Sequence, residues 1–251
     1  MPHPRPYALS IAGFDPTAGA GVVSDIKTFE SNSVYGLGVV SALTWQTDVT
    51  FEKVEWIEID KIISQVEMLL NRFNVRHIKI GLIENLDVLQ QLVCYLQMKI
   101  EHPVIVFDPI LKASAGFVFH NDMQRQFFDL IDNIYCVTPN LPEATQLFGE
   151  ENLHDKLIEL SDKVNIYLKG GHGVKSIATD QLFTKKQVYP HSNERLATGE
   201  KHGSGCVLSS NLTAQLALGR DIIMAAEKAN IHTYNFLASN EGLLGYHQLI
   251  Q

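Results

Sequence analysis

The chain alternates short apolar runs with longer segments in which apolar residues recur every three or four positions. Runs of the first kind are typical of buried parallel strands, and they lie at 7–12, 77–80, 104–107, 134–137 and 165–168. Helical spacing lies at 22–29, 61–73, 85–98, 207–218 and 221–238. An extended stretch covers 35–46, and 176–189 predicts a β-hairpin that turns near Lys185 and Lys186. This order predicts an open α/β sheet.

The segment that begins at Val207 is the helix most relevant to function. Leu208, Leu212 and Leu216 recur at every fourth position and share one face, and Gly219 stands where a left-handed residue ends a helix. The preceding residues, 201–206, are therefore the turn that leads into the N-terminus of this helix.

That turn contains Gly203, Ser204, Gly205 and Cys206. A helix start carries unpaired N–H groups and partial positive charge, and small residues let anionic oxygens approach the backbone. The turn therefore predicts a phosphate or oxyanion site. The same field lowers the pKa of a thiol, so Cys206 is a candidate base or nucleophile. The alternative is an ordinary tight turn with Cys206 as a small buried hydrophobe.

Polar residues follow three of the predicted strands. Asp108 follows 104–107, Asn140 and Glu143 follow 134–137, and Lys169 follows 165–168. Open α/β sheets bind ligands at the carboxyl ends of their strands, so these side chains are expected to converge with the Gly203 turn. Carboxylates hold Mg²⁺, whereas lysine and backbone N–H groups hold phosphate oxygens. This set indicates phosphoryl transfer.

The loop after the first strand contains Gly19-Ala20-Gly21, but it lacks the third glycine of the dinucleotide fingerprint, and no Walker A pattern occurs. Asp15 and Asp25 flank this loop, either as ligands or as residues of an Asx-turn or cap.

At the end of the 35–46 stretch, Trp45 and Gln46 would present an aromatic surface beside an amide. Such a pair suits a flat heteroaromatic ligand, although Trp45 is equally suited to the core.

Composition restricts the class of protein. The 251 residues carry a formal charge of −8, which opposes non-specific binding to nucleic acid or anionic membranes. No apolar run is long enough for a membrane span, and the first residues do not resemble a signal peptide, so a cytoplasmic protein is expected. The three cysteines suggest neither disulfides nor zinc. Residues 1–251 are expected to form one domain.

Two other classes stay open at this point. A hydrolase would use Cys206 with His172 or His202 as its base, while the Ser-x-x-Lys pattern at Ser24 and Lys27 lacks its usual partner motifs. A non-catalytic small-molecule-binding protein of the same fold would need no base.

Taken together, the motifs resemble one family, the hydroxymethylpyrimidine and phosphomethylpyrimidine kinases of thiamine biosynthesis, within the ribokinase-like superfamily. The matching pieces occur in the family's order between residue 8 and about residue 216. They are Ile11-Ala12-Gly13-Phe14-Asp15-Pro16, Gly19-Ala20-Gly21, Asp25-Ile26-Lys27-Thr28-Phe29, Ala42-Leu43-Thr44 with Gln46, Lys79-Ile80-Gly81, Asp108-Pro109, Thr138-Pro139-Asn140-Leu141-Pro142-Glu143-Ala144, Lys169-Gly170-Gly171-His172 and His202-Gly203-Ser204-Gly205-Cys206.

The resemblance implies a three-layer α/β/α sandwich with a mostly parallel sheet, and an ATP- and Mg²⁺-dependent kinase acting on an aminopyrimidine alcohol and then on its monophosphate. It also implies a homodimer and specific roles for single residues. The substrate residues would be Gly13, Asp15, Ala20, Asp25, Gln46, Leu82 and Ile110; the nucleotide residues Asn140, Lys169 and His202; the metal residues Asp108 and Glu143; and the catalytic residues Gly203, Ser204, Gly205 and Cys206.

The sequence departs from the family pattern at several positions. Trp45 replaces a smaller residue, Thr47 an asparagine, Ser204 a threonine and Lys201 a threonine. Trp45 is expected to narrow the base pocket, and the chain after Gly245 is short, so nucleotide contacts made there by relatives are expected to be missing. Pyridoxal kinases, which phosphorylate a hydroxymethyl group on a ring of similar size, are the second candidate.

Overall fold

The computed structural model describes residues 5–110, 124–170, 177–196 and 200–247. Its strands within these ranges are β1 (Tyr7–Phe14), β2 (Tyr35–Gln46), β3 (Phe51–Trp56), β4 (His77–Ile80), β5 (Val104–Phe107), β6 (Cys136–Val137), β7 (Asn165–Leu168), β8 (Ile177–Thr184) and β9 (Gln187–Glu194). They form one sheet in the order β3-β2-β1-β4-β5-β6-β7-β8-β9. Strands β2, β1, β4, β5, β6 and β7 are parallel, whereas β3, β8 and β9 are added antiparallel at the edges.

Helices cover both faces of this sheet. The described helices are α1 (Gly21–Ser31), α2 (Ile59–Leu70), α3 (Leu86–Lys99), α4 (Gln124–Leu130), α5 (Leu141–Phe148), α6 (Leu153–Leu160), α7 (Ser204–Ala217) and α8 (Ile222–Leu237), with a 3₁₀ turn at Ile131–Asn133. Helix α7 packs between α1 and α8 on one face, and α2 to α6 pack in sequence on the other. The predicted α/β/α sandwich is therefore confirmed.

Strand β5 shows why apolar residues in the buried strands do not alternate with polar ones. Ile105 and Phe107 join the core on the side of α2 to α6, while Val106 faces the opposite way and packs with Leu208 of α7. Both faces of a central strand are covered, so every position is apolar. None of the described helices is both long and apolar enough to cross a lipid bilayer.

The sheet has a switch point that positions the site. Strand β1 pairs with β2 on one side and with β4 on the other, so the chain reverses its winding direction between β1 and β4. Ligand crevices of open α/β sheets form at such a point, at the carboxyl ends of the strands. Here Asp15 follows β1 and Gly81 follows β4.

Several local predictions are confirmed. Strand β2 covers the predicted 35–46 stretch, and Gly219 has a positive φ of 81° at the end of α7. The hairpin turns at Lys185 and Lys186, whose φ angles of 48° and 60° match a two-residue turn with left-handed residues.

Other predictions need correction. The 134–137 strand is reduced to Cys136–Val137, because the N–H of Ile134 donates to Ile131 and closes the preceding 3₁₀ turn. Helix α2 runs from Ile59 to Leu70 rather than over 61–73. Strand β3 and helices α4, α5 and α6 were not predicted, since their short segments carry no clear apolar period.

Candidate active site

The N-terminus of α7 touches the loop that follows β1. Gly203 is the N-cap of α7, with a left-handed φ of 76°. A Cβ atom at this position would lie 2.0 Å from the carbonyl oxygen of Gly19, so only glycine permits the contact. Helix α7 begins at Ser204, and the first N–H groups of a helix lack intrahelical acceptors. The predicted turn with Cys206 in the first helical turn is therefore present.

Lys169 connects this turn with two carboxylates. Its Nζ lies 2.9 Å from Oδ1 of Asp108 and 3.6 Å from Oε2 of Glu143. A Cβ built on Gly205 would lie 3.3 Å from the same Nζ, so the ammonium lies against the first turn of α7. Burial opposes the charge of Lys169, but Asp108 and Glu143 outweigh it and raise its pKa above the ordinary value. The predicted convergence of these groups is confirmed.

Asn140 and Glu143 form the N-terminal capping box of α5. The side chain of Asn140 accepts from the N–H of Glu143 at 2.9 Å, and Oε2 of Glu143 accepts from the N–H of Asn140 at 2.7 Å. Burial raises the pKa of Glu143, with nearby Asp108 adding to the shift and Lys169 opposing it. The Asn-x-x-Glu spacing after a strand was the available sequence signal for this helix.

A second ion pair lies behind the turn, fully buried. Nζ of Lys79 donates to both carboxylate oxygens of Asp25 at 3.0 and 2.8 Å, and both side chains are 0% exposed. Ser10 and Ser210 donate to the same carboxylate at 2.5 and 2.6 Å. Burial would lower the pKa of Lys79, but Asp25, Cys206 and Asp108 together raise it above its ordinary value. Contact of Asp25 with a ligand stays a prediction, because its oxygens already accept four hydrogen bonds.

Helix α7 contacts both buried carboxylates through neighbouring serines. Oγ of Ser209 lies 3.1 Å from Oδ2 of Asp108 and equally far from the carbonyl oxygens of Gly205 and Cys206, and Ser210 donates to Asp25. Thr138 donates to the other oxygen of Asp108 at 3.2 Å. These contacts were missed at the sequence level, although two adjacent serines within an apolar helix were a visible signal. They connect α7 to Asp108, which follows β5, and to Asp25 in α1.

The state of Cys206 corrects one prediction. Its side chain is 6% exposed, and burial raises the pKa of the thiol to about 11, whereas the helix position alone predicted a lowered value. Lys79 and the N–H of Gly21 act in the opposite direction, while Asp25 and Asp108 add to the rise. Removal from water costs a thiolate more than the helix terminus stabilises it. Cys206 is therefore a protonated thiol at neutral pH.

Asp15 adopts the Asx-turn alternative. Its carboxylate accepts from the N–H and hydroxyl of Thr17 and from the N–H of Ala20, and Nε2 of His202 lies 2.8 Å away. Burial opposes the charge of Asp15, but His202 and the loop donors outweigh it and lower its pKa. Nδ1 of His202 is buried with no hydrogen-bond partner among the described residues. Roles for Asp15, Ala20 and His202 toward ligands stay predictions.

The remaining predicted substrate residues lie at the switch point or beyond it. A Cβ on Gly13 would meet Cδ2 of Leu82 at 2.9 Å, so the ends of β1 and β4 approach closely. Ile110 is half-buried at the end of a described range, and its N–H donates to the backbone carbonyl oxygen of Asp108. His172 lies outside the described residues. The pocket roles of Gly13, Leu82 and Ile110 stay predictions.

Trp45 and Gln46 line a common cleft of about 440 Å³ together with Phe14, Pro16 and Leu43. Trp45 is 44% exposed rather than part of the core, and Nζ of Lys53 lies 4.4 Å from its ring centroid. Gln46 donates from Nε2 to Oγ1 of Thr44 at 2.9 Å. The cleft therefore offers an apolar wall and an amide, which is the combination predicted for a flat polar ring.

Comparison with known proteins agrees with this geometry. The family model for phosphomethylpyrimidine kinase matches residues 15–249. The hydroxymethylpyrimidine/phosphomethylpyrimidine kinase of Staphylococcus aureus (strain MRSA252) is 36% identical over 234 residues, covering 88% of this chain and 84% of that protein.

Two solved structures share the fold at moderate identity. Phosphomethylpyrimidine kinase from Clostridium difficile 630 is 27% identical with a TM-score of 0.74, covering 91% of this chain and 98% of that one. An ADP complex of Bacillus subtilis pyridoxal kinase is 26% identical with a TM-score of 0.77, covering 94% and 92%. Because the family model matches most of the chain and a relative covering 88% of it is 36% identical, the chain belongs to the phosphomethylpyrimidine kinase family.

Proposed function

We propose that the protein transfers the γ-phosphoryl group of ATP to the hydroxymethyl group of 4-amino-5-hydroxymethyl-2-methylpyrimidine, and then phosphorylates the resulting monophosphate, in thiamine biosynthesis. The main support is the approach of Lys169 to Asp108, to Glu143 and to the first turn of α7. A cation beside free helix amides stabilises the charge that spreads over a transferring phosphoryl group. Such a transfer gains chiefly from positioning and charge neutralisation.

The donor set near Lys169 fits a magnesium ion. Mg²⁺ binds through one or two carboxylates together with substrate phosphates, and it prefers oxygen ligands. Asp108 and Glu143 supply two carboxylates, and the described residues contain no larger cluster of metal-binding side chains. When bound, the ion would neutralise phosphate charge and align the nucleotide. Lys169, now paired with both carboxylates, would then be free to donate to phosphate oxygens.

We assign the proton of the attacking hydroxyl to Cys206, which lies in the first turn of α7. The substrate oxygen attacks the γ-phosphorus, the bond to the β–γ bridging oxygen breaks, ADP leaves, and the hydroxyl proton passes to Sγ of Cys206. This step needs the thiolate, which is the minor form at neutral pH because the thiol pKa is about 11. Lys79 and the N–H of Gly21 favour the thiolate. Gly203, Ser204 and Gly205 contribute backbone N–H groups to the transferring phosphoryl oxygens.

A coupled ADP-release assay tests the proposed activity. Purified protein with ATP and Mg²⁺ is expected to release ADP with the aminopyrimidine alcohol and with its monophosphate, and much more slowly with pyridoxal or pyridoxamine. Turnover with pyridoxal alone would instead favour a pyridoxal kinase, which the similar fold of a pyridoxal kinase makes the second candidate. Ligand binding without ADP release would favour a non-catalytic binding protein.

Further properties follow from the family assignment as proposals. We propose a homodimer, on the family resemblance, and a cytoplasmic location for a pathway that consumes ATP. Sedimentation of the purified protein would give its oligomeric state directly.

Gln46 is expected to act on the ring substrate and not on the nucleotide. Gln46→Ala should raise the KM for the aminopyrimidine by roughly 10- to 100-fold, because the polar edge of the ring loses its partner, and should leave the KM for ATP within about twofold. Steady-state kinetics with each substrate varied in turn measures both effects.

Gln91 supplies the matched control for that substitution. It is an exposed glutamine on α3 that donates to the local carbonyl of Asp87 at 3.3 Å, far along the chain from the cleft residues, so Gln91→Ala should change neither KM. Equal increases in both KM values for Gln46→Ala would place the residue outside the ring pocket.

A further inference from the structure

Gln46 is held by a short chain of hydrogen bonds that runs back to β1. Oγ1 of Thr44 donates to the carbonyl oxygen of Phe14 at 2.8 Å, and Nε2 of Gln46 donates to Oγ1 of Thr44 at 2.9 Å. Thr44 is 5% exposed, so water does not compete freely for its hydroxyl. The pairing of β2 with β3 also shifts register between Trp45 and Gln46, which turns Gln46 out of the regular ladder.

The donors and acceptors in this series of hydrogen bonds determine which way the amide of Gln46 faces. A carbonyl oxygen only accepts, so the single hydroxyl proton of Thr44 must point to Phe14. The hydroxyl then offers only lone pairs to Gln46, which must present its NH₂ group. With the amide reversed, either Thr44 would face an acceptor without a proton or the Phe14 carbonyl would lose its donor. The oxygen of Gln46 therefore faces away from Thr44.

This orientation determines what the side chain offers a ligand. One N–H of Gln46 is committed to Thr44, which leaves Oε1 as an acceptor and the second N–H as a donor. An aminopyrimidine edge carries the complementary pair, an exocyclic amino donor beside a ring nitrogen acceptor. On a pyridoxal ring a methyl-bearing carbon separates the ring nitrogen from the phenolic oxygen, so no such adjacent pair exists.

We propose that Thr44 is a positioning residue for substrate choice: by orienting the amide of Gln46, it selects rings with an amino group next to a ring nitrogen. This inference rests on the proposed kinase function and on the place of Gln46 in the ring pocket. Thr44 borders the same cleft but is only 5% exposed, and in this proposal it acts through Gln46. A residue with a merely structural role would change the affinity for all rings by the same factor.

The test compares two ligands in three proteins. Binding of 4-amino-5-hydroxymethyl-2-methylpyrimidine and of its analogue without the amino group is measured by calorimetry for the wild type, Thr44→Val and Thr44→Ser. The wild type should prefer the amino compound by about tenfold or more, because the analogue leaves Oε1 unpaired. Thr44→Val should reduce this preference to within about threefold, since the amide is then free to rotate, and Thr44→Ser should keep it.

Each outcome has a distinct meaning. If Thr44→Val retains the wild-type preference, or if it weakens both ligands by one factor, Thr44 does not orient the amide. If the wild type binds neither pyrimidine, the proposed function fails and the inference fails with it; binding of both without preference overturns the inference alone. Melting temperatures identify a variant that does not fold; if Thr44→Val is such a variant, Thr44→Ala takes its place and should show the same loss of preference.

Discussion

Replacing Lys79 by methionine is expected to lower the free energy of unfolding by about 3–5 kcal/mol, because the carboxylate of Asp25 would stay buried without its cation. Both side chains are 0% exposed, and the ammonium contacts both carboxylate oxygens. Ser10 and Ser210 would still donate to Asp25, but neutral donors do not replace a full charge. Urea denaturation followed by circular dichroism measures the loss.

An exposed lysine provides the comparison. Lys99 lies 3.0 Å from Glu67, with side chains that are 39% and 47% exposed, so Lys99→Met should hardly move the urea midpoint. The double variant Asp25→Asn with Lys79→Met should be less destabilised than the sum of the single variants, since it removes both charges. A loss below about 1 kcal/mol for Lys79→Met would mean that the buried pair contributes little.

Cys206→Ala is expected to reduce kcat by about 100-fold or more, with little change in the KM for either substrate, because the variant removes the proton acceptor and leaves the binding groups in place. The thiol pKa of about 11 adds a pH dependence. The active thiolate becomes more abundant as pH rises toward that value, so kcat of the wild type should increase with pH over the neutral to alkaline range. The alanine variant should lack this increase.

The second buried cysteine is the control for this substitution. Cys136 is 0% exposed in β6, and burial raises its pKa, but it belongs to the core cluster that contains Tyr167 and Leu182, whereas Cys206 lies in the first turn of α7. Cys136→Ala, assayed well below its melting temperature, should keep the wild-type kcat and its pH profile. Near-normal turnover of Cys206→Ala would remove the thiol from the mechanism.

Much of the fold was accessible from the sequence because its signals are local. The twelve residues of β2 read as one extended apolar stretch, and β5 reads as a strand because covering both faces removes all polar positions. The meeting of Asp108, Glu143 and Lys169 followed from a general property of parallel sheets, whose strand ends lie together.

The contacts that were missed and the pKa that was predicted wrongly depend on residues far apart in the sequence. Lys79 and Asp25 are 54 positions apart, and His202 and Asp15 are 187 apart, so no local pattern links them. The thiol of Cys206 was expected to have a lowered pKa because its place at a helix start was visible, whereas its burial depends on how α1, β4 and α7 pack. The sequence therefore indicated where the site residues lie, but it did not indicate how far each side chain is removed from water.

The adjacent serines of α7 have a consequence for how the enzyme is made. Ser210 completes the shell around Asp25, which was synthesised early, and Ser209 reaches Asp108 near the middle of the chain. The same helix carries the amides of the proposed phosphate-binding turn. A growing polypeptide thus cannot assemble a working site before residue 210 has left the ribosome, and catalytic competence is among the last properties that biosynthesis confers on this molecule.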